Sequence, residues 1–149
     1  MGLLLDITQF FGRFHPLIVH LPIGFLLLVA VLEIAAWRKK LDVSFSVEYG
    51  LLLSGISGVL ACVFGWLLAS DGGYQETNLA LHRWLGITTT ALAFVLYWMR
   101  RHPTLASGVV YRFSFAVLIL SVSAAGHFGG TLTHGSTYLI EHAPAPLQH

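Results

Sequence analysis

Long apolar runs separated by short polar breaks organise this chain. Leu17–Trp37 is a mainly apolar run with Glu33 as its one charge, and further runs occupy about Tyr49–Ser70, Leu81–Met99 and Val109–Gly126. Each is close to the ~20 residues that an α-helix needs to cross ~30 Å of hydrocarbon. The pattern predicts spans over about 16–37, 49–70, 81–99 and 109–127. Ahead of them, Leu3, Leu4, Ile7, Phe10, Phe11 and Phe14 recur at helical spacing, with Asp6, Thr8, Gln9 and Arg13 between them. That is the pattern of a short amphipathic helix, 3–14, lying in the headgroup region. The expected fold is therefore all-α: an integral membrane, antiparallel four-helix bundle in one domain, with an interfacial N-terminal helix and a polar tail over 128–149.

Punctuation supports these boundaries. Pro16 suits a first helical position, and Pro22 lies close enough to the helix start to cost little. Arg38-Lys39-Lys40, Asp71-Gly72-Gly73 and Arg100-Arg101-His102-Pro103 fill the connections, and Gly129-Gly130 is expected to break the last helix. Glu33, near the end of its span, is expected to reach the interface or Arg38. Within the second span Ser54, Gly58, Ala61, Gly65 and Ala69 form a stripe of small residues. Such a stripe lets a neighbouring helix approach closely, or leaves room for a flat cofactor such as a porphyrin. No internal repeat is evident.

Composition sharpens the membrane reading. Apolar residues make up 56% and charged residues 10%, against roughly 25% charged in a soluble domain. The net charge of +1 gives no footprint for nucleic-acid binding. The single cysteine, Cys62, excludes an internal disulfide and thiolate clusters, and the lack of Cys-x-x-Cys-His excludes covalent c-type haem. The first residues lack the basic cluster and cleavage site of a signal peptide.

Basic residues then orient the bundle. The end where the first span begins carries only Arg13 and Arg83, while Arg38, Lys39, Lys40, Arg100, Arg101 and Arg112 lie at the other. By the positive-inside rule the basic end is cytoplasmic. Both termini are then periplasmic in a bacterial inner membrane. On this topology His15, His20, His82, His127 and His134, together with Asp71, His142 and His149, fall at the outer end; only His102 falls at the basic end.

Histidines at a membrane edge are functional candidates by default, and imidazole is a common ligand of haem iron, copper and zinc. His15 and His20 are about 140° apart around one helix and so face different neighbours. His127 and His134 share a face but stand ~10 Å apart on a continuous helix. The economical arrangement takes ligands from different helices, with His20 or His82 facing His127. His20, His82 and His127 are thus the first metal-ligand candidates, within a pool that includes His15 and His134. Arg13 and Arg83 sit where they could pair with haem propionates.

F-H-P-L-I-V-H-L-P-I-G at 14–24, H-R-W-L-G at 82–86 and G-H-F-G-G-T-L-T-H-G at 126–135 together resemble the DUF2231 family of small four-span bacterial membrane proteins. The resemblance covers nearly the whole chain. It implies, by the family's association with c-type cytochrome modules, electron transfer at the outer face of the membrane, and it supplies no established catalytic residues. The resulting expectation is a b-type haem protein or subunit, with one or two haems, carrying electrons between a membrane donor such as quinol and a c-type cytochrome. It is an electron-transfer subunit rather than a stand-alone enzyme. The alternative is a cofactor-free subunit anchoring a larger membrane complex. A metal-handling or transport role has less to build on, because the inner half offers only Glu33, Thr88-Thr89-Thr90 and serines.

Overall fold

The computed structural model describes residues 2–70, 72–106, 108–141 and 143, with side chains from residue 7 onward except 139 and 140. Asp71, His142 and His149 lie outside the described residues. The elements are α1 (Gly2–Gly12), α2 (His15–Ile18), α3 (His20–Lys39), α4 (Ser44–Ala69), α5 (Glu76–Arg100), α6 (Val109–His134) and α7 (Tyr138–Glu141). Four helical stretches, Ile7–Lys39, Ser44–Ala69, Glu76–Arg100 and Val109–His134, are long and apolar enough to cross a membrane. Their outward faces carry large apolar side chains such as Leu27, Trp37, Val63, Trp98 and Leu120. A surface of that kind is stable in lipid and unstable in water.

Two boundaries differ from the pattern in the sequence. Helix α5 starts at Glu76 rather than near Leu81, so His82 and Arg83 stand nearly two turns inside it. Helix α6 runs unbroken through Gly129-Gly130 to His134 and stops at Gly135, whose φ of 88° favours glycine. Paired glycines weaken a helix by about 1 kcal/mol each, which packing against α5 offsets here. The Pro16 and Pro22 region carries the one interruption of the first span: Val19 separates α2 from α3. Pro22 has no N–H to offer the carbonyl of Ile18, so the ladder loses a bond where the helix breaks.

Successive long helices pack against one another, α3 on α4, α4 on α5 and α5 on α6, while α1 and α2 lie against α4. Gly12 makes the α1 contact possible, since a Cβ there would stand 2.6 Å from the backbone nitrogen of Leu68. Large buried side chains concentrate toward the basic end: Leu26, Val29, Val47, Leu51, Leu96, Met99, Tyr111 and Leu118 form one cluster from all four helices. Toward the histidine end the buried positions are small, among them Ala61 and Ala125. Two glycines of the small stripe on α4 face neighbouring side chains, Gly58 the Thr90 hydroxyl and Gly65 the His15 ring, while Gly50 and Gly55 beside the stripe face Val29 and Phe94. Helix packing is therefore its role at those positions. A hydrogen bond from Thr89 Oγ1 to Ser121 Oγ (3.0 Å) and another from Ser121 to the Leu85 carbonyl tie α5 to α6.

Glu33 does not pair with Arg38. Its carboxylate accepts a hydrogen bond from the Tyr111 hydroxyl and lies 3.6 Å from the Arg100 guanidinium. Arg100 also lies over the Tyr111 ring and donates to the Ala106 carbonyl. The Glu33 and Arg100 side chains are only 22% and 13% exposed, so this cluster joins α3, α5 and α6 where solvent screening is weak. By contrast, Arg101 in the Arg101–Glu48 pair is 58% exposed. Removing one partner of a buried pair leaves a charge without compensation, whereas an exposed pair contributes little. Glu33→Ala should therefore destabilise the protein by about 2–3 kcal/mol, and Glu48→Ala by less than about 1 kcal/mol. Unfolding in a mild detergent, followed by circular dichroism, measures both; equal losses would contradict the ranking.

Candidate functional site

Of the histidines at the end of the bundle opposite the basic cluster, the structure brings two together. His15 opens α2 and His82 lies in α5, and their rings meet edge to face with centroids 5.9 Å apart. Each reaches across to a neighbouring helix. His15 Nδ1 bonds the Ala61 carbonyl of α4 at 2.9 Å, and His82 Nδ1 bonds the Ala125 carbonyl of α6 at 2.9 Å. A carbonyl can only accept, so Nδ1 carries the proton in both rings. In the neutral imidazoles Nε2 therefore keeps its lone pair.

The same local device serves both rings. The acceptor is an alanine carbonyl, and four residues further on stands a glycine, Gly65 or Gly129. A Cβ at Gly65 would lie 2.8 Å from His15 Cε1, and one at Gly129 would lie 3.0 Å from His82 Cε1. Side chains in a helix lean toward its N-terminus, so a side chain at that position would cover the carbonyl the ring must reach. The sequence carries the device twice, as Ala61-Cys62-Val63-Phe64-Gly65 and Ala125-Gly126-His127-Phe128-Gly129. The first hairpin (α2–α3 with α4) and the second (α5 with α6) thus repeat one histidine-to-alanine link in parallel orientation. The shared signal in the sequence is Ala-x-x-Phe-Gly, too short to stand out before the partners are known.

The other predicted site residues lie elsewhere. His20 is exposed, and its Nδ1 bonds the Pro16 carbonyl of the preceding turn. His127 and His134 are exposed on α6 and line a shallow pocket of about 210 Å³ with Gly130, Thr131 and Tyr138. His127 contacts Phe128 and His134 stacks on Tyr138. His82 thus meets His15 rather than His127, because α6 turns its alanine–glycine notch to α5. Arg13 is exposed. Arg83 lies with its guanidinium carbon 4.7 Å above the Trp66 ring. Among the described residues, no group of three or more His, Cys, Asp or Glu is disposed to hold a metal ion.

The donor chemistry of the pair nonetheless fits a two-imidazole centre. Both rings are neutral-type donors fixed through Nδ1, the arrangement that orients histidine ligands in metal sites. The rings touch edge to face, and a ligand lone pair lies in the plane of its ring, so a shared ion would require the rings to turn until both Nε2 edges face it.

Four apolar helices, two repeated hairpins and a histidine pair between them define a multi-pass membrane protein. A family of predicted membrane proteins, DUF2231, matches residues 13–142, and the chain belongs to that family. No curated protein and no solved structure matches the chain.

The notches make a sharp prediction. Gly65→Ala and Gly129→Ala force the imidazoles to move and should destabilise by about 1–3 kcal/mol. Gly126→Ala meets nothing within 4 Å and should stabilise α6 by up to about 1 kcal/mol. Thermal unfolding of the purified variants in detergent checks the opposite signs; a Gly129→Ala variant as stable as Gly126→Ala would disprove the seating of His82.

Proposed function

We propose that the protein is a membrane-embedded b-type haem protein or subunit that carries electrons near the outer, periplasmic face, in which His15 and His82 would hold the haem. The observation that carries this reading is the pairing of two imidazoles from different hairpins, each with Nδ1 committed to a carbonyl and Nε2 left as a ligand atom. A bound haem would supply one-electron transfer. The protein's own residues supply position and basicity: the Ala61 and Ala125 carbonyls hold each ring in one tautomer and enrich its Nε2. Gly65 and Gly129 let the rings come within reach. One pair fits one haem, with His20, His127 and His134 outside the coordination set.

The basic cluster at the other end of the bundle supports, by the positive-inside rule, a cytoplasmic location for that end, with the histidine pair toward the periplasm of a bacterial inner membrane. Quinol in the bilayer would be the donor and a c-type cytochrome, or another subunit of a membrane redox complex, the acceptor. The protein then acts as an electron-transfer subunit and not as an enzyme by itself.

A second reading is a cofactor-free anchoring subunit in which the two histidines only pin helices together. It is favoured by the close packing of α4, whose Gly50, Gly55 and Gly58 face Val29, Phe94 and Thr90. The two readings separate in one experiment. Protein expressed with ample haem supply and purified in detergent should show sharp bands on dithionite reduction and near-stoichiometric extractable haem. His15→Ala and His82→Ala should abolish them, while His20→Ala, His127→Ala and His134→Ala should leave them in place. A colourless wild-type protein would establish the anchoring role instead.

A further inference from the structure

Arg83 and Trp66 present a second arrangement, distinct from the histidine pair. Neighbours in sequence on a helix point about 100° apart, so Arg83 leaves α5 on a different face from His82. Its guanidinium lies over the Trp66 ring. Its Nε is buried, and among the described residues it is the one buried side-chain nitrogen or oxygen without a hydrogen-bond partner. Trp66 is 62% exposed and also lines an open, apolar slot of about 330 Å³ on the outward face of α4, with Cys62, Val63 and Leu67. A cation is thus held at the edge of a lipid-facing apolar slot, with Trp66 shared by both.

We infer that this is a binding site for an anionic phospholipid, its phosphate on Arg83 and an acyl chain in the slot beside Trp66. A planar guanidinium matches a phosphate by paired N–H donors. Burial of the Nε fixes the stem of the guanidinium beside Trp66 and leaves the headgroup to bond the terminal nitrogens. The slot supplies only apolar contact, which suits a hydrocarbon chain. Trp66 sits where the two meet, as tryptophan does at membrane interfaces. The lipid would brace α4 against α5 on the outside of the histidine pair.

Native mass spectrometry of the full chain, released from detergent with phosphatidylglycerol or phosphatidylcholine added, tests the site. Wild-type protein should retain phosphatidylglycerol in preference to phosphatidylcholine. Arg83→Gln should weaken that retention about fivefold, the effect of one interfacial basic residue, and Arg83→Lys should fall between. Arg112→Gln, which changes an exposed basic residue at the opposite end, should leave it unchanged. Trp66→Leu gives a second route if Arg83→Gln does not fold: it removes the stacking platform from an exposed position and should also lose the preference. Equal retention of the two lipids by wild-type protein, or unchanged phosphatidylglycerol binding in Arg83→Gln, would overturn the assignment. A soluble quinone analogue that displaces the lipid, and depends on Arg83 more strongly than the lipid does, would also overturn it by reassigning the slot to a quinone headgroup.

Discussion

An imidazole inside a lipid-embedded bundle has no water to fall back on, and that constraint shapes the histidine end of this protein. A ring nitrogen without a partner there would cost several kcal/mol. His15 and His82 meet the constraint by donating from Nδ1 to a carbonyl on the next helix. Those carbonyls already serve their own helices but keep a second lone pair. A ring as large as imidazole needs room beside such a carbonyl, and the missing side chains at Gly65 and Gly129 leave it. Two bonds and two glycines thus fix how α2 approaches α4 and how α5 approaches α6.

The two ends of the bundle hold together by different means. Helices in lipid gain little from apolar association, so close packing and interhelical hydrogen bonds decide their arrangement. The basic end uses bulk, from Leu51, Leu96 and Leu118, and closes with the Glu33–Arg100–Tyr111 cluster between α3, α5 and α6. The middle uses small hydroxyls, with Thr89 and Ser121 linking α5 and α6. Those hydroxyls bond within the bundle, which leaves them little to offer as a polar route across it. At the histidine end the buried positions are small, Ala61 and Ala125 among them, and the two rings pack beside them. Rigidity at the basic end leaves the opposite end free to be built from small side chains around polar chemistry.

Much of this was legible in the sequence, and the parts that were not share a cause. Hydropathy and the basic breaks at Arg38–Lys40 and Arg100-Arg101 gave the four spans, because lipid imposes length and apolarity on every segment that crosses it. The clustering of histidines at one end followed from topology alone. Which of them meet did not, since that depends on the rotation of each helix about its axis. Glu33 shows the same limit: Arg38 is near in sequence, yet Arg100 and Tyr111 are near in space. The glycine pair at 129–130 misled for a related reason. Gly129 is there to admit the His82 ring and not to end the helix, and packing holds the helix through it.

The repeated device is not symmetrical in its setting, and the difference bears on what the pair can do. His82 projects from the interior of α5, nearly two turns from its start, so its backbone is held on both sides by an intact hydrogen-bond ladder. His15 opens the four-residue α2, between the turn at Arg13-Phe14 and the break at Val19 that Pro22 enforces. Its position rests on the Ala61 bond, on Gly65 and on the packing of Gly12 against Leu68. One ring is therefore fixed by its helix and the other by its contacts. The two positions answer to different changes: loss of the Ala61, Gly65 or Gly12 contacts bears on His15 first, while His82 stays held within α5.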